Sequence, residues 1–207
     1  MITHGHSDIG ILGGTFNPIH NGHIELGIQA LRQFDLDKVL VMPNNKPAYK
    51  DISSEIPVEH RVNMIKLAIE GIDRLEFSDF ELRRPGVTYT SDTLKSLHSL
   101  HPDVHWYFIM GGDSIMYFDR WNQPDIIARL ATLLVTTRSD TPLNVVRDKI
   151  HSLKNIYPFA DIRMENIHEY AVSSSMIREN IKAGECIDDV VPKAVKDYII
   201  DNHLYHL

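Results

Sequence analysis

Short β-branched or aromatic runs alternate along this chain with segments whose apolar residues recur at helical intervals. The first run, "DIGIL" (8 to 12), leads into a segment from 20 to 34 where Ile24, Ile28, Leu31 and Phe34 are spaced by three or four. That spacing predicts a strand followed by an amphipathic helix. "DKVLVMP" (37 to 43) reads as a second strand. After a loop rich in Asn, Pro and Lys, the positions Val58, Val62, Ile65 and Ile69 predict a helix over about 57 to 71. "LEFSDFEL" (75 to 82) reads as strand, and "SDTLKSLHSLH" (91 to 101) as a helix with Thr90 or Ser91 as its N-cap. "VHWYFIMG" (104 to 111) and "ATLLVTTR" (131 to 138) are near-continuous apolar runs, typical of strands covered on both faces. Helical segments near 142 to 154, 174 to 183 and 192 to 204 complete the pattern.

Strands alternating with helices imply βαβ units. The expected fold class is therefore α/β, a Rossmann-like parallel sheet with helices on both faces and right-handed crossovers. Ligands of such sheets bind beyond the carboxyl ends of the strands, where the strand order reverses. No internal repeat, low-complexity tract or linker divides the 207 residues, so residues 1 to 207 read as a single domain with a helical C-terminal part from about 172.

Composition narrows the partners. A hydrophobic fraction of 43% and a charged fraction of 24% are those of a soluble globular protein, without an apolar run long enough for a membrane span or a signal peptide. One cysteine, Cys186, excludes an internal disulfide and fits a cytoplasmic location. Twenty-one basic against 28 acidic residues give a net charge of −7, which argues against a nucleic-acid partner. A small anion is a different case, because a few local donors suffice to hold it.

Such donors cluster in "GGTFNPIHNGH" (13 to 23), where the first strand passes into the first helix. Gly13 and Gly14 let a ligand approach the backbone without a Cβ in the way. Pro18 stiffens the turn. His20 and His23, three apart, project to one side of a helix whose first N–H groups are themselves unsatisfied and partly positive. The set is suited to phosphate oxygens, although H-x-x-H is also half of a metal site. No third ligand is obvious nearby, since His4 and His6 lie in a terminus expected to fray.

Gly-Gly-Thr-Phe followed by His-x-Gly-His resembles the first motif of the nucleotidyltransferase superfamily. "VSSSMIREN" (172 to 180) resembles its second, I-S-S-T-x-I-R, with Val172 for Ile and Ser175 for Thr. Three further blocks, "ELRRPGVTYTSDTL" (81 to 94), "IMGGDSIMYFDRWNQPDII" (109 to 127) and "VPKAVKDYIIDNHLY" (191 to 205), are similar to segments of bacterial nicotinate mononucleotide adenylyltransferases. Weaker matches fall on "MPNNKPAYK" and "EHR" (42 to 50 and 59 to 61), so the resemblance spans about 10 to 205.

The resemblance implies transfer of the adenylyl group of ATP to nicotinate mononucleotide, with release of pyrophosphate and with Mg2+ carried mainly by substrate phosphates and water. It gives His20, His23 and Arg178 the catalytic roles. Gly13, Gly14, Thr15, Phe16, Lys50, Gly111, Asp113, Ser174 and Ser175 fall to ATP and its phosphates, with Lys46 as the alternative to Lys50. Thr88, Tyr89, Thr90 and Trp121 fall to the mononucleotide, Trp121 as a stacking face for the pyridine ring and Asp113 as an acceptor for a ribose. The nucleophile is already ionised at neutral pH, consistent with the lack of a Ser-His-Asp, catalytic cysteine or paired-carboxylate arrangement. Thr88 stands where Ser is usual, and two departures are larger: Asn17 where Asp is frequent and "RSD" (138 to 140) where Arg-Pro-Gly is frequent. The same chemistry on nicotinamide mononucleotide, and a nucleotide-binding module without catalysis, are the alternatives. The oligomeric state is not fixed by the sequence, which leaves room for a homo-oligomer.

Overall fold

The computed structural model describes residues 7–47, 56–136, 141–165 and 172–206. Strand β1 (Ser7–Gly14) leads to helix α1 (Asn21–Gln33), then β2 (Lys38–Pro43), the two-residue β3 (Lys46–Pro47), α2 (Val58–Ile69), β4 (Leu75–Phe77) and β5 (Val87–Thr88). There follow α3 (Thr90–Leu100), β6 (Val104–Gly111), the single turn α4 (Gly112–Ile115), a 3-10 turn (Phe118–Arg120) and α5 (Pro124–Leu130). The chain continues with β7 (Ala131–Thr136), α6 (Leu143–Ile156), β8 (Ile162–Glu165), α7 (Ser174–Ala183) and α8 (Lys193–Asp201).

Six strands form one sheet in the order β4-β2-β1-β6-β7-β8, every neighbour parallel. The order reverses between β1 and β6, so the cleft for a ligand is expected beyond Gly14 and Gly111. β3 and β5 form a separate parallel pair, Lys46 opposite Val87 and Pro47 opposite Thr88, which ties the loop after β2 to the loop before α3.

Side chains alternate between the two faces of the sheet, and each face has its own core. Leu12, Tyr107, Ile109 and Leu134 pack with α1, α2, α7 and α8; Ile11, Phe108, Leu133 and Val135 pack with α3, α5 and α6. A fully buried aliphatic side chain contributes about 2 kcal/mol of transfer free energy. At the amino ends of the strands, away from the cleft, His105 bridges Asp8 and Thr132 at 3.1 Å each, and Thr132 donates to Asp161 at 3.2 Å. Burial pulls the Asp161 carboxyl upward, but Arg163 and the Thr132 hydroxyl outweigh it and hold it below the ordinary carboxylate range.

Several expectations are corrected. The run 75 to 82 is strand only over Leu75–Phe77. Beyond it Phe80 N–H turns to Ser78 Oγ and Arg83 N–H to the carbonyl of Asp79, local bonds that compete with the ladder. The buried stripe of α1 is Leu26, Gly27, Ala30 and Leu31, with Ile24, Ile28 and Phe34 at its partly buried margin. In α2 the stripe runs through Arg61, Met64, Ile65, Ala68 and Ile69, and Val62 is only half-buried. The N-cap of α3 is Tyr89; Thr90 is its first residue and Ser91 is fully buried. Neither α5, too short for a periodic signal, nor β8, an edge strand with polar Arg163 between Ile162 and Met164, was expected from the pattern.

Candidate active site

The turn between β1 and α1 is built so that its oxygens face protein donors. Asn44 N–H donates to Gly14 O at 3.0 Å, and Arg61 Nη1 to Thr15 O at 2.8 Å. Arg178 Nη1 donates to Asn17 O at 2.8 Å, and Ser174 Oγ to Pro18 O at 2.9 Å. With its carbonyls engaged, what the turn can offer a ligand is N–H groups, the polarity an anion needs. Phe16 takes a left-handed φ of 51°, uncommon for a non-glycine residue, and its ring is buried against Gly14 and edge-on to His23 at 5.0 Å. Phe16 can therefore contribute its backbone to a nucleotide site while its side chain belongs to the core.

His20 is the N-cap of α1 and is buried; His23, in the first turn, is half-buried. Their rings stack at 3.6 Å between centroids, 30° apart. His23 Nδ1 accepts from the backbone N–H of His20 at 3.3 Å, which assigns the ring proton of neutral His23 to Nε2 and makes that atom the donor. Gly22 permits this packing: a Cβ there would lie 3.0 Å from Val172 and 3.2 Å from His20 Nδ1.

The second motif meets the first at this turn. Ser173 caps α7 by accepting from Met176 N–H at 3.2 Å, Ser174 reaches Pro18, and Ser175 Oγ accepts from Arg178 Nη2 at 3.2 Å. Arg178 is thus anchored at Asn17 and Ser175, with its remaining N–H groups available to phosphate oxygens.

The other side of the cleft is assembled by α3, β6 and the loop before α5. Tyr89 caps α3 without a side-chain bond to the first turn. Ser91 Oγ accepts from Asn122 Nδ2 at 3.2 Å and Lys95 donates to Gln123, so residues 88 to 90 and the loop of Trp121 are tied together. Trp121, half-buried, meets Phe108 edge-on at 6.0 Å and Phe118 at 5.8 Å. Phe108 lies 3.6 Å from where a Gly13 Cβ would stand, and so joins the Trp121 loop to the glycine turn. Gly111 is the N-cap of α4, and Asp113, exposed, accepts from Ser114 N–H at 2.9 Å. Behind Thr88, burial raises the Glu81 carboxyl above its ordinary value, although hydroxyls of Thr93 and Thr88 and the charge of Arg84 pull it down.

Of the expected site residues, the two histidines stack on one another, Ser174 and Arg178 bond the turn between the glycines and His20, and Ser175 joins through Arg178. Thr88, Tyr89, Thr90 and Trp121 form the second group. Lys50 and the segment 138 to 140, with Arg138, lie outside the described residues, as do His4 and His6; of Lys46 only the backbone is described. Reasoning from the sequence missed Arg61, Asn44 and Tyr205, whose hydroxyl donates to Asn17 Oδ1 at 2.8 Å. The signal for Arg61 was present, since position 61 shares a helical stripe with 65 and 68. Among the described residues, no group of three or more His, Cys, Asp or Glu is arranged to hold a metal ion, and no helix is long and apolar enough to cross a membrane.

A parallel sheet reversing at β1 and β6, with a His-x-Gly-His helix start facing a Ser-Ser-x-x-Arg helix start, defines a nucleotidyltransferase. A profile of the cytidylyltransferase-like family matches residues 11–180, and the chain belongs to that family. Within it the chain falls among the nicotinate-nucleotide adenylyltransferases. Probable enzymes of that name from Lachnoclostridium phytofermentans and Synechococcus sp. are each 40% identical to it, over 95% of this chain and 98% and 94% of theirs. A nicotinic acid mononucleotide adenylyltransferase of Plasmodium falciparum, solved with NaAD, shares the fold with a TM-score of 0.79 at 23% identity, covering 97% of this chain and 98% of that one.

Proposed function

We propose that the protein transfers the adenylyl group of ATP to nicotinate mononucleotide, giving nicotinate adenine dinucleotide and pyrophosphate. One juxtaposition carries the reading: Arg178 and Ser174 of the second motif bind the carbonyls of Asn17 and Pro18, on the turn that aims His20 and His23. Guanidinium and imidazole donors therefore flank one anion-binding turn.

A phosphate oxygen of the mononucleotide attacks the α-phosphorus of ATP in line, and the bond from that phosphorus to the bridging oxygen breaks as pyrophosphate leaves. The attacking oxygen is already ionised near neutral pH, so alignment and charge stabilisation do the catalytic work. His23 donates from Nε2, Arg178 presents a fork to two phosphate oxygens, and the helix starts supply backbone N–H groups. Asp113 accepts from a ribose hydroxyl, Trp121 offers its face to the pyridine ring, and the start of α3 at Thr88, Tyr89 and Thr90 receives the ring carboxylate. Magnesium would be held mainly by the ATP phosphates and water, where it would offset their charge, and this chain's residues act on the phosphate oxygens and the sugar. The single cysteine fits a cytoplasmic setting.

The test is pyrophosphate release with MgATP, comparing nicotinate and nicotinamide mononucleotides at matched concentrations. Strong preference for the acid is expected. Equal or reversed use moves the protein to amide or dual specificity, and release with neither supports a binding module without catalysis.

A further inference from the structure

The last turn of the chain reaches the catalytic turn. Beyond α8 the backbone takes two left-handed residues that are not glycine, His203 at φ 50° and Tyr205 at φ 67°, conformations that L-residues adopt at a cost. Leu204 between them is buried in the core beside α1, α2 and α7, and its N–H bonds Ile199 O at 3.0 Å. The tail is held in this shape by the rest of the molecule, and it delivers one polar group. Tyr205 OH donates to Asn17 Oδ1 at 2.8 Å, across 188 positions of sequence.

Asn17 is a junction. It is buried, its carbonyl takes Arg178 Nη1, and the residue after it takes Ser174 through its own carbonyl. The Tyr205 bond reaches the Asn17 side chain from the C-terminal tail, on the same residue whose carbonyl meets the Arg178 guanidinium. Burial pushes the Tyr205 phenol well above its ordinary range despite the nearby charges of Arg178 and Arg61, so it keeps its proton and remains a donor.

We propose that Tyr205 is a positioning residue for adenylyl transfer, acting through Asn17 on the turn that carries His20 and His23 and anchors Arg178. The proposal rests on the function proposed above in naming the reaction, but the tether itself does not depend on it. The ring of Tyr205 packs against the core, so its hydroxyl can be removed separately: Tyr205→Phe keeps the packing and deletes one hydrogen bond. Misplacing groups that act in the transition state lowers turnover more than substrate binding.

The experiment compares wild type, Tyr205→Phe, Asn17→Ala and the double variant in pyrophosphate release from MgATP and nicotinate mononucleotide. Backbone amide exchange is followed in parallel over residues 15 to 24 and, as an internal reference, 104 to 111. For Tyr205→Phe the expected result is about a tenfold lower kcat, apparent KM values within about twofold, and faster exchange at 15 to 24 alone. In the Asn17→Ala background the Phe substitution should add nothing, because the group it acts through is gone. Wild-type kcat in folded Tyr205→Phe overturns the proposal, as do additive losses in the cycle. If the wild type releases no pyrophosphate with either mononucleotide, the assigned reaction falls. Exchange then decides the tether by itself: unchanged protection at 15 to 24 in Tyr205→Phe overturns it, and selective loss there upholds it.

Discussion

Arg61 Nη1 donates to the main-chain oxygen of Thr15 over 2.8 Å, and both Nη atoms donate to Asn44 O at 3.1 Å. One guanidinium, 2% exposed, thereby clamps the glycine turn to the loop after β2. Arg61→Ala leaves those carbonyls buried without that donor, and the expected cost is roughly 3 kcal/mol. Arg61→Lys should recover only part, because an ammonium cannot reproduce a planar fork. Urea denaturation measures both, and a loss below about 1 kcal/mol for the Ala variant would show that the clamp is not what holds the turn.

His23 accepts the His20 N–H at 3.3 Å, and the proposed mechanism makes it one donor to the transition state. His23→Ala is expected to lower kcat by about 10²–10³, by analogy with removal of one oxyanion donor. Steady-state kinetics on the folded variant checks this, and near-normal turnover would remove His23 from the mechanism.

Gly13 offers a cleaner separation of stability from binding. A Cβ at this position would meet only Phe108, at 3.6 and 3.8 Å, which is ordinary contact. Packing therefore does not demand glycine, whereas the proposed close approach of a nucleotide would. Gly13→Ala should leave stability unchanged or raise it by about 0.5 kcal/mol, while weakening binding of an ATP analogue at least about tenfold. Calorimetric titration beside a thermal melt would read both; undiminished affinity would mean the ligand does not pass over Gly13.

Trp121→Ala should raise the apparent KM for the mononucleotide more than that for ATP, since its proposed partner is the pyridine ring. Its contacts with Phe108 and Phe118 mean that stability will fall too. Equal changes in both KM values would assign Trp121 to packing alone.

Glu81 carries a pH signature. Burial raises its carboxyl above the ordinary value of 4.5, and the Thr93 hydroxyl, donating at 2.7 Å, only partly offsets this. A carboxyl raised in the folded state holds its proton more tightly there than in the unfolded chain. Its contribution is therefore fully present below the unfolded value and is lost as pH rises through the folded one. The stability of wild type relative to Glu81→Gln should fall as pH increases from about 4 to about 7. Urea midpoints across that range test the sign, and a constant or rising difference would contradict it.

The sheet was legible because its central strands are nearly unbroken apolar runs, and β6 matches the expected 104 to 111 residue for residue. The His20, His23 pair was legible because helical spacing puts both on one side of a helix start, whereas the serines before Arg178 were legible through their resemblance to the second motif. What escaped were side chains whose partners are remote in sequence. Arg61 entered only as part of the weaker match "EHR", with no partner assigned, whereas the helix is turned so that the arginine faces inward and finds carbonyls at Thr15 and Asn44. Tyr205 was one residue of a C-terminal helical block, and nothing local announces a bond to Asn17. Asn122 likewise has meaning only through Ser91, which was expected to cap α3 and is buried inside it.

The donors that complete the first motif arrive in a telling order. Asn17 and Pro18 wait for Ser174, Arg178 and Tyr205, which follow them by between 156 and 188 positions. A ribosome making this chain releases the His-x-Gly-His segment early, the clamp of Asn44 and Arg61 soon after, and the braces from Ser174, Arg178 and Tyr205 much later. During synthesis the growing polypeptide therefore carries the His-x-Gly-His signature long before it has all the means to hold that turn in shape, and the bracing is complete only as α7 and α8 dock.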